Sequence, residues 1–244
     1  MDDLYEAPVV ILCGGRGTRL QEHTSQIPKP LVEIGGLPIV WHVIRIYAAQ
    51  GFRRFMLATG YLAELIERFT DEHRWPEGVE IESVHTGLDT PTGGRIHALR
   101  ERLAGRAFCA TYSDGLADIS LDGLVAAHRT AGVAATMTVV QPELQFGVAQ
   151  LDDGGRVLGF HEKPRVEQYW INGGFFCFEP EVFDYLKADS VLERDPLEAL
   201  AAAGELHAYR HKGFWECMDT YKDSVLLNDL WESGTPPWRV WEGE

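Results

Sequence analysis

The sequence predicts an α/β fold: a mostly parallel sheet flanked by helices, followed by a smaller β-rich lobe. Three observations predict it. Strand-like apolar runs alternate with helical patterns through the first two-thirds of the 244 residues, as expected where helices connect parallel strands. The first apolar run, Val9 to Leu12, leads straight into a glycine-rich turn, and sheets of this kind bind ligands at the carboxyl ends of their strands. From Val148 the texture changes to a hairpin pattern that turns at Asp152-Asp153-Gly154-Gly155.

Each element follows from its local pattern. Val9 to Leu12 reads as a buried strand. Pro38 to Gln50 reads as a helix that starts on proline and ends at Gly51. Phe55 to Thr59 is a strand, Leu62 to Phe69 a helix, Val79 to Val84 a strand, and Ile96 to Leu103 a helix closed by Gly105. Ala107 to Tyr112 returns as a strand and delivers Ser113-Asp114-Gly115 at its end. Leu121 to Thr130 is helical and Ala134 to Val140 is β-rich. After the hairpin come a strand at Phe175 to Phe178, short helices at Glu181 to Lys187 and Leu197 to Ala202, and a closing helix from Thr220 to Glu232. With no internal repeat, low-complexity tract or Ser/Gly linker, residues 1–244 are expected to form one domain. About 1–145 makes one half, and about 146–244 makes the β-rich lobe and closing helix.

Composition narrows the function. Hydrophobic residues at 45% and charged residues at 24% are ordinary for a globular chain with a sizeable core. The balance of 22 basic against 37 acidic residues gives a net charge of −15, which argues against binding nucleic acid or an anionic membrane. An anionic substrate must therefore meet a local cationic site. The four cysteines are far apart, without a C-x-x-C pair, so buried free thiols are expected rather than a disulfide or zinc site. The start, MDDLYEAP, lacks the basic and apolar stretches of a signal peptide. A cytoplasmic location is the expectation.

The segment LCGGRGTRLQEHTSQIPKP, Leu12 to Pro30, carries the strongest chemical signal. Gly14, Gly15 and Gly17 let the backbone turn sharply and bring its N–H groups close to a bulky anion. Arg19 and Lys29 can neutralise charge that backbone dipoles leave uncompensated. Two common phosphate fingerprints are absent: Leu20 stands where the dinucleotide pattern wants a small residue, and no Gly-Lys-Ser/Thr follows as in a P-loop. The second point of interest, Ser113-Asp114-Gly115, also sits at a strand end, which places both in one cleft. Taken alone, Asp114 reads first as a turn residue and Asp219 as a helix-start residue.

The string GGRGTRL with Lys29-Pro30 resembles the opening signature of the sugar-1-phosphate nucleotidylyltransferases. Further matches come in the family's order: KPLVEIGGLPIVWHVI, TGGRI, TYSDGLADI, FHEKP, INGGFF and GFWECMDT. Within that family the chain is most similar to the glucose-1-phosphate cytidylyltransferases. Cys13, Ser113, Lys222 and a shorter stretch between Val84 and Thr90 depart from the usual pattern.

The resemblance implies a Rossmann-like sheet of the nucleotide-diphospho-sugar transferase type, with the later lobe binding sugar. It implies an enzyme that joins a nucleoside triphosphate to a sugar 1-phosphate and releases pyrophosphate, with Mg2+ as cofactor and a homo-oligomeric assembly. CTP and glucose 1-phosphate are the expected pair. UTP, dTTP or GTP with another hexose or cyclitol phosphate is the alternative, and a non-catalytic homologue that binds nucleotide sugars is a further one. Arg19, Lys29 and Asp114 become the expected catalytic residues, and Asp114 and Asp219 the metal ligands. Nucleotide contacts fall on Leu12, Cys13, Gly14, Gly15, Arg16, Gly17, Thr18, Arg19, Lys29, Thr90, Thr92, Gly93, Gly94, Arg95 and Ser113. Sugar-phosphate contacts fall on Glu162, Lys163, Asn172, Gly173, Gly174 and Arg194, with Trp170 and Trp215 as possible pocket walls.

Overall fold

The structure is a computed structural model and describes residues 4–17, 26–103, 105–144, 146–164, 166 and 168–242. Strand β1 (Val9–Leu12) is wholly buried, as a continuous apolar run in the middle of a parallel sheet must be. A 3-10 turn over Lys29–Leu31 and a small hairpin, β2 (Glu33–Ile34) and β3 (Leu37–Pro38), lead into helix α1 (Ile39–Ala49). There follow β4 (Arg54–Thr59), α2 (Ala63–Glu72), β5 (Glu80–His85), α3 (Thr92–Ala98), α4 (Arg100–Leu103) and β6 (Phe108–Tyr112). Next come β7 (Gly115–Ala117), α5 (Leu121–Ala131), β8 (Ala135–Val140), and the hairpin of β9 (Val148–Leu151) and β10 (Val157–His161). The chain continues through β11 (Ile171–Phe178), a 3-10 turn at Pro180–Asp184, α6 (Asp195–Ala202), β12 (Leu206–Arg210), β13 (Trp215–Cys217) and α7 (Tyr221–Glu232).

Seven strands form one sheet in the order β12-β8-β11-β6-β1-β4-β5. β6, β1, β4 and β5 run parallel to one another, and β12 runs parallel to β8. Only β11 opposes its neighbours on both sides. Its amino end therefore meets the carboxyl ends of the other strands, and Asn172, Gly173 and Gly174 arrive at the edge where β1 and β6 finish. Alternation along the strands divides the core between the two faces of the sheet. Val9, Ile11, Phe55, Leu57, Cys109 and Phe175 pack with α1, while Val10, Met56, Ala58, Phe108, Ala110 and Phe176 pack on the other side. Three of the cysteines, Cys13, Cys109 and Cys177, are buried and all four are free thiols.

The main elements match expectation, with shifts at their ends. The expected helix Ile96 to Leu103 starts earlier, at Thr92, and breaks into α3 and α4. The expected helix Glu181 to Lys187 is the 3-10 turn Pro180–Asp184. β12 and the short pairs β2/β3 and β7/β13 are additions. Among the described residues no helix is long and apolar enough to cross a membrane.

Candidate active site

At the carboxyl edge of the sheet, the turn after β1, the end of β6 and the start of α3 enclose a cavity of about 430 Å³. Leu12, Cys13, Gly14, Gly15, Gly17, Lys29, Thr90, Thr92, Arg95, Ser113, Asp114 and Asp219 line it, together with Pro30, Pro91 and Tyr112. A second cavity of about 540 Å³ adjoins it and shares Tyr112, Asp114 and Asp219. Its other walls include Asn172, Gly173, Gly174, Glu193, Trp215 and Cys217.

The glycine turn is shaped from behind by Arg95. This guanidinium, on α3 and 4% exposed, donates to the carbonyls of Thr59 and Gly87 at 2.9 and 2.8 Å, to that of Gly14 at 2.9 Å, and to Thr86 Oγ1 at 2.8 Å. One side chain thus ties the β1 turn to the ends of β4 and β5. A Cβ on Gly14 would overlap the guanidinium, so glycine is required there by the arginine. Gly15 faces open space, and Gly17 holds φ at +61°, a region that favours glycine. Arg16 turns outward and pairs with Asp89 at 2.9 Å. Cys13 is packing material in this turn, its thiol pKa pushed up by burial.

Lys29 is the centre of charge. Pro28 holds φ at −70° and its carbonyl accepts from Leu31 N at 2.8 Å, which fixes the 3-10 turn that projects Lys29. Lys29 Nζ donates to Asp114 Oδ2 at 2.5 Å and to Asp219 Oδ1 at 2.7 Å. The two aspartates are brought together by backbone. β7 and β13 pair antiparallel with Gly115 opposite Cys217, and Met218 N donates to the Asp114 carbonyl at 2.9 Å. Asp219 immediately precedes α7, where Thr220 and Asp223 form a capping box and Asp223 Oδ2 also accepts from Asp219 N at 3.0 Å. The amino end of that helix favours a nearby negative charge. Burial alone would depress the ammonium's pKa, but Asp114 foremost and then Asp219 outweigh it and hold it above its usual value.

Two carboxylates and one ammonium sum to one net negative charge. Among the described residues no cluster of three or more metal-ligating side chains is present. Two convergent carboxylates at the edge of a cavity nonetheless fit a Mg2+ that takes its remaining ligands from phosphate and water.

The second cavity has a polar wall. Tyr112 Oη donates to Glu193 Oε1 at 2.5 Å and accepts from Asn172 Nδ2 at 3.0 Å. Asn172 Oδ1 accepts from Gly174 N at 2.8 Å, and Trp215 Nε1 donates to the Gly173 carbonyl at 2.8 Å. Gly174 has φ +82°, and a Cβ there would strike the Tyr112 ring. Burial and then Glu193 push the phenol's pKa up, so it keeps its proton.

Most of the expected residues meet here; some do not. Thr18 and Arg19 lie outside the described residues. Gly93 and Gly94 line neither cavity: a Cβ on Gly94 would meet the Ala188 carbonyl and one on Gly93 would meet Ser190, while Gly94 N donates to the Ser190 carbonyl at 3.0 Å. Their bareness lets α3 dock against the 188–190 backbone. Glu162 and Lys163 follow β10 on the exposed hairpin, and Arg194 stands exposed at the start of α6; none of the three lines either cavity. Trp170 stacks with Arg210 rather than walling a cavity, whereas Trp215 does wall one. Tyr112 and Glu193 went unread in the sequence. Glu193 neighbours Arg194 in the same Glu-Arg-Asp-Pro run, which was the available signal.

Comparison with known proteins shows the family. The chain matches the family described as Nucleotidyl transferase over residues 8–225. It is 42% identical to the "Probable glucose-1-phosphate cytidylyltransferase" of Bacillus subtilis (strain 168), a match over 95% of this chain and 99% of that one. It is 39% identical to the glucose-1-phosphate cytidylyltransferase of Salmonella typhi, over 96% of this chain and 99% of that one. In fold it is similar to HddC from Yersinia pseudotuberculosis, with a TM-score of 0.72 at 22% identity, covering 92% of this chain and 99% of that one. On this evidence the chain belongs to the nucleotidyl transferase family and is an enzyme of the sugar-1-phosphate nucleotidylyltransferase kind.

Proposed function

We propose that the enzyme joins CTP to α-D-glucose 1-phosphate, giving CDP-glucose and pyrophosphate, with Mg2+ as the divalent cofactor. The observation that carries this reading is the Lys29–Asp114–Asp219 cluster beside the glycine turn, assembled from positions 85 and 190 residues apart. The names of the relatives support the choice of base and sugar.

Both substrates are polyanions, so the barrier lies in bringing negative charge together and stabilising what develops at the α-phosphorus. Asp114 and Asp219 would hold the Mg2+, which when bound supplies positive charge to the phosphates. Lys29, already beside both carboxylates, supplies an ammonium at the same point and orients them. The turn from Gly14 to Gly17 presents backbone N–H groups to the triphosphate, and Thr18 and Arg19, which follow it in the sequence, are assigned to the same phosphates on the family resemblance. Leu12, Cys13, Thr90, Thr92 and Ser113 shape the nucleotide side, with Arg95 holding the loop in place. Asn172, Gly173 and Gly174 shape the sugar side. Glu162, Lys163 and Arg194 are assigned to the sugar phosphate on the family resemblance, although they line neither cavity.

In this reading residues 1–145 are the nucleotide half and 146–244 the sugar-phosphate lobe. The enzyme works in the cytoplasm as a homo-oligomer. A panel of triphosphates against sugar 1-phosphates, followed by pyrophosphate release, tests the pair. Fastest turnover is expected with CTP and glucose 1-phosphate. No turnover with CTP overturns the assignment of the base, and no turnover with any combination overturns the catalytic reading.

A further inference from the structure

The carboxylate of Glu193 is held in an unusual way for an exposed side chain. Oε1 accepts from Tyr112 Oη at 2.5 Å and Oε2 accepts from Thr92 Oγ1 at 2.7 Å. Thr92 Oγ1 in turn accepts from Leu192 N at 2.9 Å, and Tyr112 Oη accepts from Asn172 Nδ2 at 3.0 Å. The two hydroxyls each spend their one proton on Glu193, and both belong to residues that line the nucleotide cavity. Glu193 itself lines the second cavity. Each carboxylate oxygen has further lone pairs beyond the bond it already accepts.

The segment carrying Glu193 is also fixed. It follows the 188–190 backbone against which Gly93 and Gly94 pack, so α3 and Glu193 form one docked unit. A carboxylate immobilised on both oxygens, facing a cavity with spare acceptor capacity, suits a ligand that offers hydroxyl donors. A sugar ring offers several, whereas a phosphate offers none when ionised and would be repelled.

We infer that Glu193 is a specificity-determining residue for the sugar ring: it accepts a hydrogen bond from a hydroxyl of the sugar 1-phosphate, and Tyr112 and Thr92 position it. This rests on the proposed reaction. Its function is recognition, and it does not act on the reacting phosphorus. A site built to bind a hydroxyl discriminates strongly against an analogue that lacks it, because its own polar groups are then left unpaired.

The test combines Glu193→Gln with a series of monodeoxy glucose 1-phosphates, using steady-state kinetics and calorimetric binding of each sugar phosphate. Glu193→Gln is expected to raise KM for glucose 1-phosphate at least about tenfold while KM for CTP stays within about twofold. One deoxy analogue should bind the unaltered enzyme as poorly as glucose 1-phosphate binds the variant, and the variant should no longer distinguish that analogue. The deoxy series on the unaltered enzyme does not depend on the variant's folding. Equal binding of every deoxy analogue by the unaltered enzyme overturns the inference, as does an unchanged KM for glucose 1-phosphate in a folded variant. Absence of turnover by the unaltered enzyme would instead fail the proposed reaction, and calorimetry of sugar phosphate binding still decides the role of Glu193.

Discussion

Arg95 shows how one residue can line a cavity and at the same time tie its walls together. Expectation placed it among the nucleotide contacts, and it does line the cavity, but four of its hydrogen bonds run to the Thr59, Gly87 and Gly14 carbonyls and Thr86 Oγ1. Without Arg95 the Thr59 carbonyl keeps Thr86 N and Oγ1, and the Gly14 carbonyl keeps Tyr61 N. The Gly87 carbonyl is then the acceptor that loses most, and a buried carbonyl without a donor costs about 1–3 kcal/mol. Arg95→Met keeps much of the bulk and removes the guanidinium's donors, so a loss of that size is expected. In a chain of this length that lowers the thermal unfolding midpoint by roughly 5 °C, measured by calorimetry or circular dichroism. The loss of activity should follow the loosened turn after β1. An unchanged midpoint would contradict the scaffold role. Lys29 is the opposite case: its partners are the two carboxylates proposed as metal ligands, and its place after the glycine turn is what marks it in the sequence.

At the scale of elements, sequence and structure agree where local signals and packing point the same way. β1 was legible as a short apolar run before glycines, and α7 as the closing helix from Thr220, whose start the structure shows capped by Thr220 and Asp223. α3 was misplaced because Thr92-Gly93-Gly94 reads as a poor helix start. Docking against Ala188 and Ser190 decides the matter there, and only glycines permit it. β12, with its half-exposed LHAYR pattern at the sheet edge, and the three-residue strands β7 and β13 owe their form to their partners. So does the site. Asp114, Asp219, Lys29 and the glycine turn stood out through their motifs, while the Tyr112–Glu193 contact spans 81 residues and belongs to no motif. Glu162 and Lys163 illustrate the reverse: a clear motif that lies on the exposed hairpin, away from both cavities.

At the scale of the whole molecule, the end of the chain is fastened to the core around His42. This buried imidazole has Nε2 2.8 Å from the Ile34 carbonyl, and Trp238 Nε1 donates to its Nδ1 at 3.3 Å. The neutral ring satisfies both contacts, whereas a protonated ring would set one N–H against another. Burial chiefly, opposed by the Ile34 and Leu37 carbonyls, pushes its pKa down to about 4 from 6.5. The unfolded chain therefore takes up a proton near pH 6.5 that the folded protein refuses until about pH 4. Stability from this residue is complete above that window and falls as pH drops through it, by roughly 1.4 kcal/mol per pH unit. NMR titration of the His42 ring should give a midpoint near 4, and one near the free value would contradict this account. The larger claim is that an acidic chain of net charge −15 concentrates Lys29, Asp114 and Asp219 at one point in order to transfer a nucleotidyl group. The most direct test is the rate of pyrophosphate release by Asp114→Asn, with CTP, glucose 1-phosphate and Mg2+ saturating and the unfolding midpoint recorded alongside. A fall of at least about 100-fold, equivalent to about 2.7 kcal/mol of transition-state stabilisation, with the fold intact, is the predicted result; a rate close to that of the unaltered enzyme would contradict the account.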